Sequence, residues 1–489
     1  MFGKWGLRRI TAPLLHLRSW ICRCPLFPTI LVIAILTTSA HAMDQPHLYY
    51  AQFSHGPSSS PDFFPIAVWL QSPGNADAYQ AAGVNLFVGL WDGPTEGQLS
   101  TLSTAGMQTM CDQNAVGLAH VSDTTITGWT QGDEPDNAQP DGMGGWGPPI
   151  DPSVIIANRT AMRANDSTRP VYLNLGQGVA WDNWYGRGVR TNHPEDYVEY
   201  VKGADIVSFD IYPVNSADAP VTGNLWYVAQ GVDRLRTCVS DAKPVWCWIE
   251  CTKIDATSAA KPTPAQVRSE VWMALIHGAN GIGYFCHVIG PVFDEPGLLH
   301  DATMLAAVTT LNQQITSLAA VLNSPTVTGE VSVSSSNGAV PIDIMVKHHG
   351  GFTYVFAVAM RDGTTTGTFT LPSPAMVDVI DESRQISAAT GSFSDSFTSY
   401  GVHLYKVSYD YTAPTVNVAT TSLTGTVSDL NTCPVEIVVN GTHLPVNVTD
   451  LNGTWHADDL PLPTATTNFT ITATDASANT RTVTLSVAK

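Results

Sequence analysis

The sequence predicts an α/β fold, a (β/α)8 TIM barrel followed by two all-β domains, a small β-sandwich and then an immunoglobulin-like β-sandwich. Three observations predict it. Short, near-continuously apolar runs recur between residues 61 and 322, as in strands covered on both faces. Helical stretches lie between several of those runs, the alternation expected of a parallel barrel. Beyond residue 325 strand patterns separated by turn residues replace the helices, which is the texture of an all-β region.

The elements follow in order. Residues 1–42 carry five bases (Lys4, Arg8, Arg9, Arg18 and Arg23), the apolar stretch "LFPTILVIAIL" and the small-residue motif "AHA" at 40–42. That is the pattern of a secretory signal peptide, too short for a comfortable membrane span. The barrel is expected over 43–322. Its strand candidates are "FPIAVWL" (64–70), "VNLFVGL" (84–90), "MQTMCD" (107–112), "ITGWTQG" (126–132), "VYLNLG" (171–176), "DIVSFDIY" (205–212), "KPVWCWIE" (243–250) and "GIGYFCH" (281–287). "PEDYVEYVKGA" and "PAQVRSEVWMALIHGA" read as helices between them. The segment 113–125, with "AVGLAH", reads as part of a helix or as a second strand candidate. Residues 323–410 carry alternating patterns such as "IDIMVKHHGGFTYVFAVAM", and a Thr-, Val- and Asn-rich β module is expected over 411–489.

Charge narrows the function. The chain has 23 Lys and Arg against 42 Asp and Glu, a net charge of -19. Without the five leader bases the balance is 18 against 42, or -24. So acidic a surface argues against nucleic acid and anionic membrane as partners, and it does not repel a neutral substrate. No later segment reaches the ~18 apolar residues of a span, so no membrane span is expected in the mature form. Six cysteines remain after the leader (111, 238, 247, 251, 286 and 433), and spacing does not choose among their pairings. They form no zinc pattern, and no metal is expected.

In a barrel of this class the chemistry sits at the carboxyl ends of the strands. The first strand ends near Trp69 and the second near Trp91 and Asp92. The fourth ends in Asp133 and Glu134, within "GWTQGDEPDN". The fifth is followed by "GQGVAWDNWYGRG", with Trp181 and Trp184. The sixth ends in Asp210 and Tyr212, the seventh in Glu250 and the eighth in His287. Carboxylates for proton transfer and rings for stacking suit a carbohydrate substrate. Cleavage of a glycosidic bond needs one carboxyl to protonate the leaving oxygen and a second to attack the anomeric carbon or activate water. Glu134 and Glu250 form the strongest pair. Strand alternation places Trp246, Trp248 and Glu250 on one face, so an inward-facing Trp pair would carry Glu250 to the top of the lumen. Asp133, Tyr212, Trp69, Trp91, Trp181, Trp184, His120 and His287 are the candidates for substrate contact. His120 and His287 read equally as satisfied structural histidines.

The arrangement resembles the clan A glycoside hydrolases, retaining (β/α)8 enzymes with an acid/base Glu after the fourth strand and a nucleophile Glu after the seventh. Glu134 and Glu250 fall at those two places. "SFDIYPV" is similar to the clan's segment after the sixth strand, whose Tyr contacts the nucleophile; here that is Tyr212. Asp133 departs from the pattern, since the clan has Asn before its acid. Ionised Asp only accepts hydrogen bonds where Asn also donates. The resemblance spans residues 61–410. It implies an exported glycoside hydrolase, secreted, periplasmic or at the cell surface, that cleaves β-linked oligo- or polysaccharide with retention and without a cofactor. Surface or polysaccharide attachment through the C-terminal domain is a further expectation. The alternatives are a catalytically inactive polysaccharide-binding barrel and a transglycosylase on the same scaffold. The glycines of "GQGVAWDNWYGRG" lack the order of a phosphate or dinucleotide loop. Serine-hydrolase and zinc-protease motifs are absent.

Overall fold

The computed structural model describes residues 45–409 and, beyond them, residues 415–418, 424–428, 436–439, 442–444, 452–456, 466–474 and 479–488. The expected leader (1–42) and Cys433 lie outside the described residues.

Each apolar run forms one strand: β1 (Ile66–Trp69), β2 (Leu86–Val88), β3 (Gln108–Cys111), β4 (Ile126–Thr130), β5 (Val171–Leu175), β6 (Ile206–Asp210), β7 (Val245–Glu250) and β8 (Gly281–Phe285). They close in sequential order into a parallel barrel, with β8 returning beside β1. The long covering helices have sequence-encoded starts. Thr95 and Gln98 form a capping box for Glu96–Ala105, and Thr263 and Gln266 form another for Pro264–Ile276, each satisfying backbone N–H groups that the first turn leaves orphaned. The segment 113–125 holds a short helix, Ala115–Ala119, capped by Asn114. "PEDYVEYVKGA" is a succession of short turns, Pro194–Asp196, Tyr197–Tyr200 and Val201–Gly203, rather than one helix. None has a side-chain cap, and Gly203 lies so close to Ile155 that a Cβ would meet its side chain at 2.5 Å.

The lumen is filled by large rings. Trp246 and Trp248 are buried inside, and opposite them β8 carries Gly281 and Gly283, where a Cβ would come within 2.7 and 2.1 Å of the two indoles. Glycine is required there by close approach. Trp248 donates to the Tyr172 hydroxyl (2.7 Å), and Trp246 donates to that of Tyr50 (3.0 Å), on the helix Pro46–Tyr50. Buried indole N–H groups thereby keep a partner.

The next region is a two-sheet β-sandwich of five and three strands, with its own core around Val355, Phe369, Phe393 and Tyr405. It shares a second core with the barrel. Phe356 packs on Trp272 of Pro264–Ile276 (5.2 Å between rings), Arg268 donates to the Val402 carbonyl and Ser269 to that of Tyr400. The described C-terminal strands pair antiparallel into sheets of three and four strands.

Among the described residues no helix is long and apolar enough to cross a membrane. Five cysteines lie among them, all unpaired, with the Cys251 and Cys286 sulfurs 4.0 Å apart.

Candidate active site

The mouth of the barrel, at the carboxyl ends of β4, β5 and β6, gathers three carboxylates around one amide. Asn174 of β5 donates through Nδ2 to Asp133 Oδ1 (3.0 Å) and to Asp210 Oδ2 (2.9 Å). Its own Oδ1 accepts from the Ser208 hydroxyl (2.7 Å), which fixes the direction of the amide. The Glu134 and Asp210 carboxyls are neighbours, and each perturbs the proton affinity of the other. Asn137 donates to Glu134 Oε2 (2.9 Å) and accepts from the indole of Trp184 (2.9 Å). Tyr212 stands at the edge of the cluster, where Asp210, Glu134 and Asp133 all push its hydroxyl further above the usual phenol range after burial has raised it.

All three carboxyls are raised above the ordinary carboxylate range. Burial, then the charge of Asp133, pushes Asp210 up to about 7. Burial raises Glu134 well above the carboxylate range, with Asp210, Asp133 and Asp136 adding to it. Asp133 is open to the cleft, yet its enclosing walls push it up to about 6. Glu134 also sits in the left-handed backbone region (φ 42°), as do Leu70 (φ 42°) and Asp92 (φ 49°), each just beyond a strand end at the mouth. Such residues cost about 1–3 kcal/mol each and cluster at functional sites.

The remaining acid of "DEPD" has a different task. Asp136 is buried and accepts from Gly176 N–H (2.9 Å) and the Tyr197 hydroxyl (3.0 Å), close to the buried Arg187. It ties the loop after β4 to the loop after β5. "GWTQGDEPDN" is therefore both a turn and a candidate site: Asp133 and Glu134 face the cleft while Asp136 anchors it.

Glu250 is not part of this cluster, contrary to the expectation from strand alternation. Trp246 and Trp248 do face the lumen, but the Glu250 side chain is fully buried. It accepts from Val214 N–H (2.6 Å), Asn215 N–H (2.8 Å) and Asn215 Nδ2 (2.5 Å), in the loop after β6. It also meets the buried carboxyl of Glu270 on the helix Pro264–Ile276. A buried carboxylate goes where donors are, and the nearest concentration of donors lies under that loop. Tyr212 accordingly borders Asp210 and Glu134, and no hydrogen bond joins it to Glu250 among the described contacts.

Three other expectations change. Trp181 is buried (8% exposed) behind Trp184 rather than presented to a sugar. His120 is engaged by Asp123 (2.6 Å) and Glu96 (2.8 Å), which raise its pKa, in a surface ion network outside the cluster. His287 is buried beneath the rings of Trp91 and Phe293, with Nε2 against the Leu70 carbonyl (3.0 Å), and burial lowers its pKa. Trp69 is half-buried and caps the lumen on Trp248 (5.1 Å). Trp184 does line the cleft. Sequence reasoning noted Asp210 at a strand end without selecting it, and it passed over Asn174 and Asn137. The alternation of β6 offered a signal for Asp210, since Ser208 and Asp210 share a face.

From Asp133 and Glu134 a cavity of about 640 Å³ runs along Asn137, Gln139, Trp146, Trp184 and Tyr185. Trp146 and Tyr185 are 75% and 64% exposed, so ring faces meet solvent beside the acids. Another cavity, about 510 Å³, lies between Pro264–Ile276, Ala302–Ser317 and the sandwich, and none of the strand-end acids lines it. Among the described residues no group of three or more His, Cys, Asp or Glu is arranged to hold a metal ion.

No family model matches the chain, and no curated protein matches its sequence. Solved structures do resemble it. An alpha-galactosidase described as putative in its own description, from Bacteroides fragilis NCTC 9343, has a TM-score of 0.45 at 10% identity, over 71% of this chain and 80% of that one. Alpha-galactosidase I from Mortierella vinacea has a TM-score of 0.42 at 10% identity, over 72% and 98%. A glycoside hydrolase family 30 subfamily 8 xylanase from Clostridium acetobutylicum has a TM-score of 0.40 at 12% identity, over 71% and 96%.

Proposed function

We propose that the protein is a retaining glycoside hydrolase acting on neutral oligo- or polysaccharide, with Glu134 and Asp210 as its carboxyl pair. The observation that carries this reading is the cluster of Asp133, Glu134 and Asp210 around Asn174 at the mouth of the barrel, beside a cleft walled by exposed rings. A general acid must keep its proton until the leaving oxygen needs it, and the raised pKa of Glu134 does that. In the first step Glu134 protonates the glycosidic oxygen, the bond to the anomeric carbon breaks, and an Asp210 oxygen bonds to that carbon. In the second step ionised Glu134 takes a proton from water, the water oxygen bonds to the anomeric carbon, and Asp210 leaves as carboxylate. Asn174 and Asp133 border the sugar on the β5 side. Carboxyls already in contact need to part only to the ~5–5.5 Å of double displacement, rather than the ~6.5–9.5 Å of direct water attack.

Export, β-linkage and surface attachment through the C-terminal module complete the proposal. They rest on the 1–42 pattern, on the resemblance carried by Glu134 after the fourth strand and by "SFDIYPV" after the sixth, and on the position of a further β module after the sandwich.

The test is a screen of the purified protein on aryl α- and β-glycosides, beside Asp210→Ala and Glu250→Ala with added azide. Activity lost in Asp210→Ala and restored as a glycosyl azide supports the assignment. Rescue of Glu250→Ala instead would return the nucleophile to β7. An inert parent would leave the polysaccharide-binding barrel as the better reading, and transfer to added sugar in place of water would identify a transglycosylase.

A further inference from the structure

The barrel mouth carries a second row of rings that the carboxyl pair does not use. Phe285 at the end of β8 packs on Tyr212 (5.4 Å) and on His287 (5.0 Å). His287 in turn stacks with Phe293 (5.9 Å) and meets Trp91 edge-on (5.8 Å). The outer members of the row face water: Trp91 is 43% and Phe293 55% exposed, with Ile289 beside them at 56%.

Such rings are costly to expose in a contiguous patch and mark a contact surface. These are also held in place. Trp91's carbonyl accepts from Gln98 Nε2 (2.7 Å), Ile289 N–H is bonded to the Ile254 carbonyl (2.6 Å), and Val288 and Asp294 pair across the loop that carries Phe293. A fixed ring presents its electron-rich face without an ordering cost at binding.

Position supplies the argument. The first wall, Trp146, Trp184 and Tyr185, lies on the loops after β4 and β5. The second lies after β8 and β2. In a closed barrel of eight strands β4 and β8 stand opposite each other, so the acids lie between the two walls. Trp184 is joined to Glu134 through Asn137 on one side, and on the other Tyr212, whose hydroxyl feels the charges of Asp210 and Glu134, packs on Phe285.

We infer that the site takes a polysaccharide chain laid across the mouth, with sugars stacked on rings on both sides of the carboxyl pair. Cleavage is then internal to the chain rather than at its end. The endo action rests on the glycosidase reading; the two-sided chain site does not.

Affinity electrophoresis of the full chain tests it, in gels containing barley mixed-linkage glucan, galactan, mannan, xylan or soluble starch. The parent is run beside Trp91→Ala/Phe293→Ala and Trp146→Ala/Tyr185→Ala. All four side chains are at the surface, and an unchanged Tm certifies the fold. Retardation of the parent by at least one polymer, weakened roughly five- to tenfold in each double variant, supports the inference. Retardation that survives loss of Trp91 and Phe293, or a parent that no polymer retards, overturns it. On a polymer that is cut, viscosity falling ahead of reducing-end release supports endo action. Release of terminal sugars at constant viscosity overturns the inference and leaves the glycosidase reading standing. Two-walled binding without any cutting supports the chain site and removes the hydrolase.

Discussion

The mouth of the barrel after β4 and β6 and the end of β7 hold the same chemical groups in opposite settings. In both, carboxyls are raised by burial. At β7 the Glu250 carboxyl is met by three N–H donors from Val214 and Asn215. At the mouth, Asp133 and Asp210 share a single amide, Asn174, Glu134 has that of Asn137, and the three acids repel one another. The difference teaches how to tell a structural carboxyl from a reactive one. Glu250 is held by donors away from the cleft, while the carboxyls of the mouth stand at the cleft and are raised by burial and by one another's charge.

The largest expected effect breaks the comparison along its functional side. Glu134→Gln removes the proposed proton donor and Asp210→Asn the proposed nucleophile while keeping shape, and kcat/KM should fall roughly 10²–10⁴-fold without loss of Tm. Glu250→Ala should do the reverse. It orphans buried donors at a cost on the order of 3 kcal/mol, which thermal unfolding would read as a drop of about 5–10 °C. Its kcat per folded molecule should stay near that of the parent. A Glu250→Ala variant that is stable but inert would erase the distinction.

The next effect is on stability against pH. Asp210 has an ordinary pKa of 3.8 and is raised to about 7 in the fold. Below its unfolded value both states are protonated and its stabilising contribution is fully present. As pH rises through about 7 the folded state must give up a proton that it holds more tightly than the unfolded chain does, and that contribution is lost. At ~1.4 kcal/mol for each tenfold change in proton affinity, the loss from Asp210 is on the order of 4 kcal/mol across the window, and Glu134, raised by the same causes, acts in the same direction. Asp210→Asn keeps the neutral form at every pH. It should therefore flatten the curve and exceed the parent in urea midpoint at neutral pH. A parent curve that is flat from pH 4 to pH 7, about the two ends of the Asp210 displacement, would remove the charge-repulsion account of the mouth.

The barrel was legible because its signal is local. Each apolar run is a strand buried on both faces, and covered strands need no partner information to be read from composition. The proposed carboxyl pair was half legible. Glu134 was readable from the abrupt end of an apolar strand in two adjacent acids. Glu250 looked equivalent by the same rule, and alternation was right for Trp246 and Trp248. It failed at the last residue because the side chain's choice of partner depends on Val214 and Asn215, 35 residues or more away in sequence. Asp210 carried the opposite problem. Its strand-end position was visible, but its weight comes from Glu134 and Asn174, contacts made only when β4, β5 and β6 lie side by side. Trp181 and Trp184 show the same limit: two indoles three residues apart, one facing the core and one the cleft, separated by a turn whose direction no periodicity reports.

The smallest expected effect sharpens the comparison at the boundary between wall and acid. Asn137 links them, donating to Glu134 and accepting from Trp184. Gly176 allows this closeness, since a Cβ there would come within 2.8 Å of the Asn137 amide and 2.9 Å of the Glu134 carboxyl. A donor on a carboxylate favours its charged form, so Asn137→Ala should raise the Glu134 pKa further. The basic limb of the kcat/KM profile would then move to higher pH, with a loss of roughly tenfold at its maximum, comparable to one hydrogen bond to a charged group. Trp184→Phe keeps a smaller aromatic ring but removes the indole N–H that orients Asn137, so it should move the limb in the same direction by less. A merely structural Asn137 would lower Tm and leave the limb where it is. That outcome would make the ring wall and the proton donor independent parts, and binding to the wall would no longer be coupled to the acid that cleaves.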